Sequence, residues 1–596
     1  MRLPLKWFKP QRLAYQLCCG LGAAFLTLLD VAVAKDPRPN IVVILIDDGA
    51  LMDLGVYGGE AATPNIDALA AQGALFTNHR SSPLCAPSRA MLLTGLDNHR
   101  TGFATIPEVL PPEHAGQPGY SMRLEPGVLT IADHLALAGY RTVMAGKWHL
   151  GRGSEGMPDS HGFDRSFALD ASGGDSWDDK AYLPLYTEAP WYEDGDPAAL
   201  PKDFYSSEFI VDRVLDYLGE DLEERGPFFA YLPFLAVHLP LQAPSSFTEK
   251  YKEVYAGGWD EMLQERWQRA KALGLIAQGA PAPQMAESLR AWDSLTARDQ
   301  ELLSARMAVH AGMLEAMDYH VGRLIDHLKA ENVWDNTIIV VTSDNGPDGS
   351  SPVNPPMRLW FALNGYRLGA ERIGEPGSFT FIGHEFASAA ASPSRLMKFY
   401  ASEGGIRVPL IVAGPGVEEG AVYHGRAFMT DIAPTLLEMA AVPHGSATDQ
   451  PMDGRSLLPI LRGETDEVYG LEEPVAIEVA GNATLYQGSY KLVRNLGVLA
   501  SPAWQLFDLS VDPGETNNLA ASEPVVMTEL MAAYQDYRDR MGVLEVPLGY
   551  QPSQQAGQNN GTRLLKSLAW VFIAMGFVVA ALATVIIRVL VGLMRS

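Results

Sequence analysis

Cys85 stands in the run Cys85-Ala86-Pro87-Ser88-Arg89 and is the most chemically suggestive residue of this 596-residue chain. The chain has three cysteines. Cys18 and Cys19 lie in a leader that reads as removable, so the mature chain keeps one thiol. A secreted chain with a single thiol does not rest on disulfides. The sulfur is therefore a small buried packing group, a thiolate nucleophile, or raw material for a modification. A phosphate-cleaving thiolate of the cysteine-to-arginine type needs an arginine six residues on, where Met91 stands.

Other residues could work beside it. Asp47-Asp48 and Asp344-Asn345 offer three carboxylates and an amide, hard oxygen donors that suit Ca²⁺ or Mg²⁺, whereas zinc favours His or Cys. Such pairs, taken alone, are commonly turn or helix caps. The block Gly146-Lys147-Trp148-His149-Leu150-Gly151 places two titratable groups around a tryptophan. His238 follows an apolar run, and Lys398 stands five residues before Glu403-Gly404-Gly405-Ile406-Arg407. A lone histidine or lysine of this kind is more often structural or solvated.

The elements around these residues bear on whether they meet. Ile41–Ile46 and Thr337–Thr342 are apolar and rich in β-branched residues, as strands buried on both faces are. Phe228–Leu235 is a third such strand. Helical patterns intervene, notably Ala297–Lys329. This alternation predicts an α/β domain with a central, mainly parallel sheet flanked by helices. Ligands gather beyond the carboxyl ends of such strands, where both acidic pairs stand. From about residue 446 the texture turns to short antiparallel strands, with a turn at Asp512-Pro513-Gly514 and a closing helix, Pro524–Met541. The expected division is a catalytic domain over 35–445 and a smaller α+β subdomain over 446–545.

Composition removes some functions. The net charge is -26, and the leader's Arg2, Lys6, Lys9 and Arg12 against Asp30 make the mature chain more acidic still. Nucleic-acid binding is excluded as an expectation, because phosphate contacts need surplus Lys and Arg. Any anion site must draw on a local cluster of positive groups. Residues 1–34 read as an export signal ending in Ala32-Val33-Ala34. Residues 567–587 carry no charge and are long enough, at about 1.5 Å per residue, to cross a bilayer. Residues 546–566 read as a flexible tether and 588–596 as a short cytoplasmic tail. A single-pass protein with its catalytic part outside the cytoplasm, periplasmic in a bacterium, is the expectation.

Cys-x-Pro-Ser-Arg followed by Ala90-Met91-Leu92-Leu93-Thr94-Gly95 resembles the signature of the formylglycine-dependent sulfatases of the alkaline phosphatase superfamily, most of all the bacterial arylsulfatases. The Gly-Lys-Trp-His-Leu-Gly block, Asp431-Ile432-Ala433-Pro434-Thr435-Leu436-Leu437 and Asp453-Gly454-Arg455-Ser456-Leu457 follow in the family's order. The resemblance covers roughly Pro39 to Leu519. It implies an alkaline-phosphatase-like fold and hydrolysis of sulfate monoesters, aryl sulfates in particular. It also implies that Cys85 is oxidised to formylglycine by a formylglycine-generating enzyme. One Ca²⁺ rather than Mg²⁺ would be held by Asp47, Asp48, Asp344 and Asn345, with the modified Cys85 completing the set. The aldehyde hydrate would attack sulfur, with Asp344 taking its proton and Arg89 steadying it. Lys147 and Lys398 would clamp sulfate, while His238 and Lys398 protonate the leaving oxygen. His149 would deprotonate the second hydroxyl and so release sulfate. Two other readings share the residues: a phosphonate monoester or phosphodiester hydrolase of the same superfamily, and a catalytically silent, membrane-tethered binding protein.

Overall fold

The computed structural model describes residues 36–153, 155–443 and 451–595; the leader and its expected cleavage site lie outside them. Ten strands form the main sheet in the order Ala421–Tyr423, Gly73–Phe76, Leu410–Ala413, Thr337–Ser343, Asn40–Ile46, Phe228–Pro233, Arg141–Lys147, Arg165–Leu169, Trp191–Glu193 and Asp196–Pro197. The five strands from Thr337–Ser343 to Arg165–Leu169 are parallel, and antiparallel pairs appear toward both edges. The expected α/β architecture is thus observed, with mixed margins.

Asn40–Ile46 shows why the centre forms. All seven residues are buried. Val42, Ile44 and Ile46 enter one hydrophobic cluster, and Ile41, Val43 and Leu45 enter the cluster on the opposite face. A strand with two apolar faces is stable only between two helical layers, and each fully buried side chain of this size contributes about 1.5–3 kcal/mol. The 34-residue helix Ala297–Ala330 supplies much of one layer.

A second, four-stranded antiparallel sheet comprises Val475–Val479, Asn482–Gln487, Tyr490–Arg494 and Gln505–Asp508. The helix Pro524–Met541 packs on it through Leu530, Tyr534 and Tyr537. Asn482 of the Asn-Ala-Thr sequon is 1% exposed, which leaves no room for a glycan on the folded chain.

The C-terminal segment differs from the expected tether. Pro552–Arg595 is one 44-residue helix. Its first turns dock on the domain, with the Asn559 side-chain amide donating to the carbonyls of Glu108 at 2.9 Å and Pro107 at 3.3 Å. Polar and small residues read as a loop in isolation; here docking fixes them as helix. Within it, Met575–Leu593 is long and apolar enough to cross a membrane, with mean hydropathy 2.4.

Charge is also buried away from the main site. Asp53 accepts from Arg266 Nη1 at 2.9 Å and pairs with His310 Nε2 at 3.0 Å. Burial alone would raise its carboxyl, but His310 and Arg266 outweigh burial and bring it down to about 2. Because the folded value lies below the ordinary one, this stabilisation is full above about pH 4 and is lost as pH falls toward 2. At about 1.4 kcal/mol per unit, the loss is about 2 kcal/mol. Denaturant titrations between pH 5 and 2 should show this slope in the parent and not in Asp53→Asn; parallel slopes would refute it.

Candidate active site

The two acidic pairs meet because their strands are neighbours in register. Ile46 lies beside Ser343, so Asp47-Asp48 and Asp344-Asn345 leave the sheet together. Asp48 N–H donates to Asp344 Oδ1 at 3.1 Å, and the Asn345 side-chain amide donates to Asp48 Oδ1 at 2.6 Å. Candidate donor oxygens of Asp47, Asp48 and Asp344 lie within 4.8 Å of one another. Asn345 Oδ1 is buried and has no hydrogen-bond partner among the described residues. This is a set of hard oxygens converging on one point, the donor chemistry of Ca²⁺ and Mg²⁺.

Cys85 opens the helix Cys85–Thr94. Pro87 falls in the first turn, where its missing N–H costs no helical hydrogen bond. Arg89 lies one turn on, on the same face. Its Nε donates to Asp344 Oδ2 at 2.9 Å and its Nη1 to the Lys147 carbonyl at 2.7 Å. The signature thus spaces the sulfur and the guanidinium so that the arginine ties the helix to the acidic cluster.

Lys147 ends the strand Arg141–Lys147, and its ammonium lies 2.8 and 2.7 Å from the two Asp47 oxygens. Two residues on, His149 has a positive φ of 59°, a strained position for a residue with a Cβ. Its Nδ1 lies 3.5 Å from Cys85 Sγ, and its Nε2 is buried without a hydrogen-bond partner among the described residues. Asp48 is likewise at φ 67°.

His238 is held against the end of Asn40–Ile46 by two main-chain bonds, Asp47 N–H to Ala236 at 2.8 Å and Val237 N–H to Asp47 at 2.6 Å. Its Nδ1 is 2.6 Å from the Leu239 carbonyl, so that nitrogen carries the hydrogen. Nε2 then faces Asp48 Oδ2 at 3.7 Å. Lys398 places its ammonium 2.7 Å from Asp48 and 3.5 Å from Asp348. Asp348 was missed in the sequence, although it lies four residues beyond Asp344. Asp48, His238 and Asp348 could themselves hold a metal, and the Lys398 ammonium already offsets one of the two carboxylate charges there.

Burial sets the electrostatics. Burial first, then Asp344 and Asp48, raise the Asp47 carboxyl well above its ordinary range against Lys147 and Arg89. Asp344 is held below that range, because Arg89, Lys147 and Lys398 overcome its burial. Burial, aided by neighbouring cations, pushes His149 and His238 well below the usual imidazole value, so both are neutral at pH 7. Lys398 is raised despite burial, by Asp48 and Asp348, and stays charged. Burial pushes the Cys85 thiol up to about 11, although Lys147 and Lys398 pull it down; the unmodified sulfur is a weak nucleophile.

Cys85, His238 and Lys398 line one cavity of about 530 Å³. The loops 170–203 and 349–386 carry aromatics whose types would suit them to shape it. Tyr182, Leu183 and Gly349–Pro352 do so. Of those aromatics, Trp191 and Trp360 are buried packing residues, and neither they nor Trp177 and Tyr192 line it. The arrangement offers a side chain at a helix N-terminus, a neutral imidazole beside it, three cations and a cluster of oxygen donors. Such a site can bind an oxyanion and transfer it to a nucleophile at position 85.

The Sulfatase family model matches residues 39–442, and the model described as N-sulphoglucosamine sulphohydrolase, C-terminal, matches 395–538. An uncharacterized sulfatase of Schizosaccharomyces pombe is 36% identical over 547 residues, covering 86% of this chain and 96% of that protein. An arylsulfatase of Klebsiella aerogenes is 34% identical over 436 residues, covering 70% of this chain and 90% of its own. The fold is shared with the solved structure of Ps i-CgsB in complex with k-i-k-neocarrahexaose, at TM-score 0.60 and 22% identity over 84% of this chain and 92% of that one. With a family model over more than half its length and two relatives above 30% identity, the chain belongs to the sulfatase family and is a sulfuric ester hydrolase.

Proposed function

We propose that this enzyme hydrolyses aryl sulfate monoesters, using a formylglycine made from Cys85 and one Ca²⁺ held by Asp47, Asp48, Asp344, Asn345 and the modified side chain. The observation that carries this reading is the placement of Cys85 in one cavity with Lys398 and His238, with His149 beside its sulfur. Charge supports the metal. Asp47, Asp48, Asp344 and Asp348 face Arg89, Lys147 and Lys398, one negative charge in excess. A divalent cation turns that to one positive charge, which suits the single negative charge of a sulfate monoester.

When bound, Ca²⁺ supplies Lewis-acid polarisation of a sulfate oxygen. The hydrated aldehyde supplies two hydroxyls, one to attack sulfur and one whose deprotonation frees the enzyme. The chain's own groups do the rest. Asp344 accepts the proton of the attacking hydroxyl, and Arg89, bonded to Asp344, orients it. Lys147 and Lys398 hold the sulfate oxygens as charge builds. Lys398, kept charged by Asp48 and Asp348, donates to the leaving oxygen; His238, neutral with its hydrogen on Nδ1, has no proton on Nε2 to give and can only accept a hydrogen bond there. Neutral His149 takes the proton of the second hydroxyl through the nitrogen facing Cys85. Each proton transfer of this kind contributes about 10²–10⁴ in rate. Maturation needs a formylglycine-generating enzyme, and the apolar part of the C-terminal helix anchors the chain with this site outside the cytoplasm.

Chelation tests the metal. Dialysis against EDTA should abolish turnover of nitrophenyl sulfate and lower the melting temperature, and Ca²⁺ should restore both better than Mg²⁺. An unaltered melting curve with full activity would refute a bound divalent ion. Faster turnover of nitrophenyl phosphonate than of nitrophenyl sulfate would overturn the substrate assignment.

A further inference from the structure

The cavity above Cys85 has a wall that neither family model covers. Ser553, Ala556, Gly557, Asn560, Gly561 and Leu564 line it, all beyond residue 538, where the second match ends. Their spacing of three and four places them on one face of the C-terminal helix. That face is fixed to the domain. Besides the Asn559 bonds, Asn560 Oδ1 accepts from Leu185 N–H at 3.3 Å, and Leu564 is 6% exposed within the core.

The face is also kept hollow. A Cβ at Gly557 or Gly561 would meet nothing within 4 Å. Glycine inside a helix costs about 1 kcal/mol relative to alanine, so two glycines here trade helix stability for open volume. Beside the helix, Glu108 also lines the cavity and is 5% exposed. Its Oε1 accepts from Tyr186 Oη at 2.7 Å and from Ser172 Oγ, while Oε2 is buried without a partner among the described residues. An unsatisfied buried carboxylate oxygen is costly, and a ligand donor reaching it from the cavity removes that cost. The remaining lining includes Ile106, Leu183, Met357 and Phe399, which are apolar.

We propose that the helix face 553–564 and Glu108 form a recognition subsite for the alcohol part of the substrate. It takes sulfate esters with an extended apolar body that ends in a hydrogen-bond donor, a hydroxyl or an ammonium. The proposal rests on Cys85 as the reacting centre. The sulfate lies at Cys85 and Lys398, the apolar body runs along the glycine face, and the donor meets Glu108.

The test uses the full chain in detergent with phenyl sulfate, biphenyl-4-yl sulfate and 4′-hydroxybiphenyl-4-yl sulfate. The parent enzyme should favour the hydroxybiphenyl ester over phenyl sulfate at least tenfold in kcat/KM. Gly557→Leu should lower kcat/KM for both biphenyl esters at least tenfold more than for phenyl sulfate, mainly through KM. Glu108→Gln should remove most of the difference between the two biphenyl esters and leave the biphenyl-to-phenyl ratio in place. If Gly557→Leu fails to fold, Gly557→Ala, which adds one methyl and strengthens the helix, should shift the ratios in the same direction. Equal effects of Gly557→Leu on all three esters, or no discrimination by the parent, would overturn the subsite. Failure to hydrolyse any of the three would instead overturn the aryl sulfate reading itself.

Discussion

Cys85→Ala should abolish aryl sulfate hydrolysis, lowering kcat by at least ~10⁴-fold, the scale on which removal of a covalent nucleophile is felt. The fold should tolerate it. Cys85 is 1% exposed at the first turn of its helix, and deleting one small buried group costs about 1 kcal/mol in a core that relaxes partially. Cys85→Ser should behave differently. Its hydroxyl can attack sulfur once, but no second hydroxyl exists for His149 to deprotonate. A burst of one equivalent of alcohol followed by arrest is therefore the expected time course. Mass spectrometry of the peptide spanning Ala86 to Arg89 with position 85 should show the aldehyde in parent enzyme from its native host. Full activity of Cys85→Ala, or an unmodified thiol in active enzyme, would refute the assignment.

The second large effect concerns stability. Glu403 is 1% exposed. It accepts from Arg80 Nε at 3.2 Å and Nη2 at 3.0 Å, from Lys491 Nζ at 2.8 Å and from Tyr486 Oη. Burial would raise its carboxyl, but Arg80 and Lys491 hold it far below the ordinary carboxylate range. Arg80 lies beside the main sheet, whereas Lys491 and Tyr486 belong to the four-stranded one. Glu403→Ala leaves two buried cations short of a partner, and breaking a buried pair from one side costs about 3–5 kcal/mol. Denaturant midpoints should fall accordingly, with Glu403→Gln, which keeps an acceptor, falling less. A loss below about 1 kcal/mol would show that the charges are solvated after all.

Much of the centre was legible because it depends on local signals. Apolar runs bounded by Asp47-Asp48 and Asp344-Asn345 are read from periodicity, and parallel register then brings their ends together. The helix Pro524–Met541 carries its own boundaries in the sequence. What escaped depends on contacts remote in sequence. Glu108 acquires meaning only beside Asn559, 451 positions away. The Pro552–Leu564 stretch looked like a tether because a face of Ser, Ala and Gly gives no apolar stripe; its docking residues are asparagines. Tryptophan suits a pocket by type, yet Trp191 and Trp360 serve the core, as bulky aromatics do by default.

The seam around Glu403 bears on how this protein can be rebuilt. Gly346, two residues beyond Asp344, donates its N–H to Gly405 at 2.9 Å, and a Cβ there would strike the Gly404 carbonyl at 2.0 Å. The loop carrying the oxygen donors is therefore cast against the same turn that grips Lys491. Lys491 in turn pairs with Glu515 at 2.7 Å. A chimera that exchanges the four-stranded sheet for a homologue's must import Tyr486, Lys491 and Glu515 as a set, or it inherits a mismatched charge two residues from the turn that braces the Asp344–Gly346 loop.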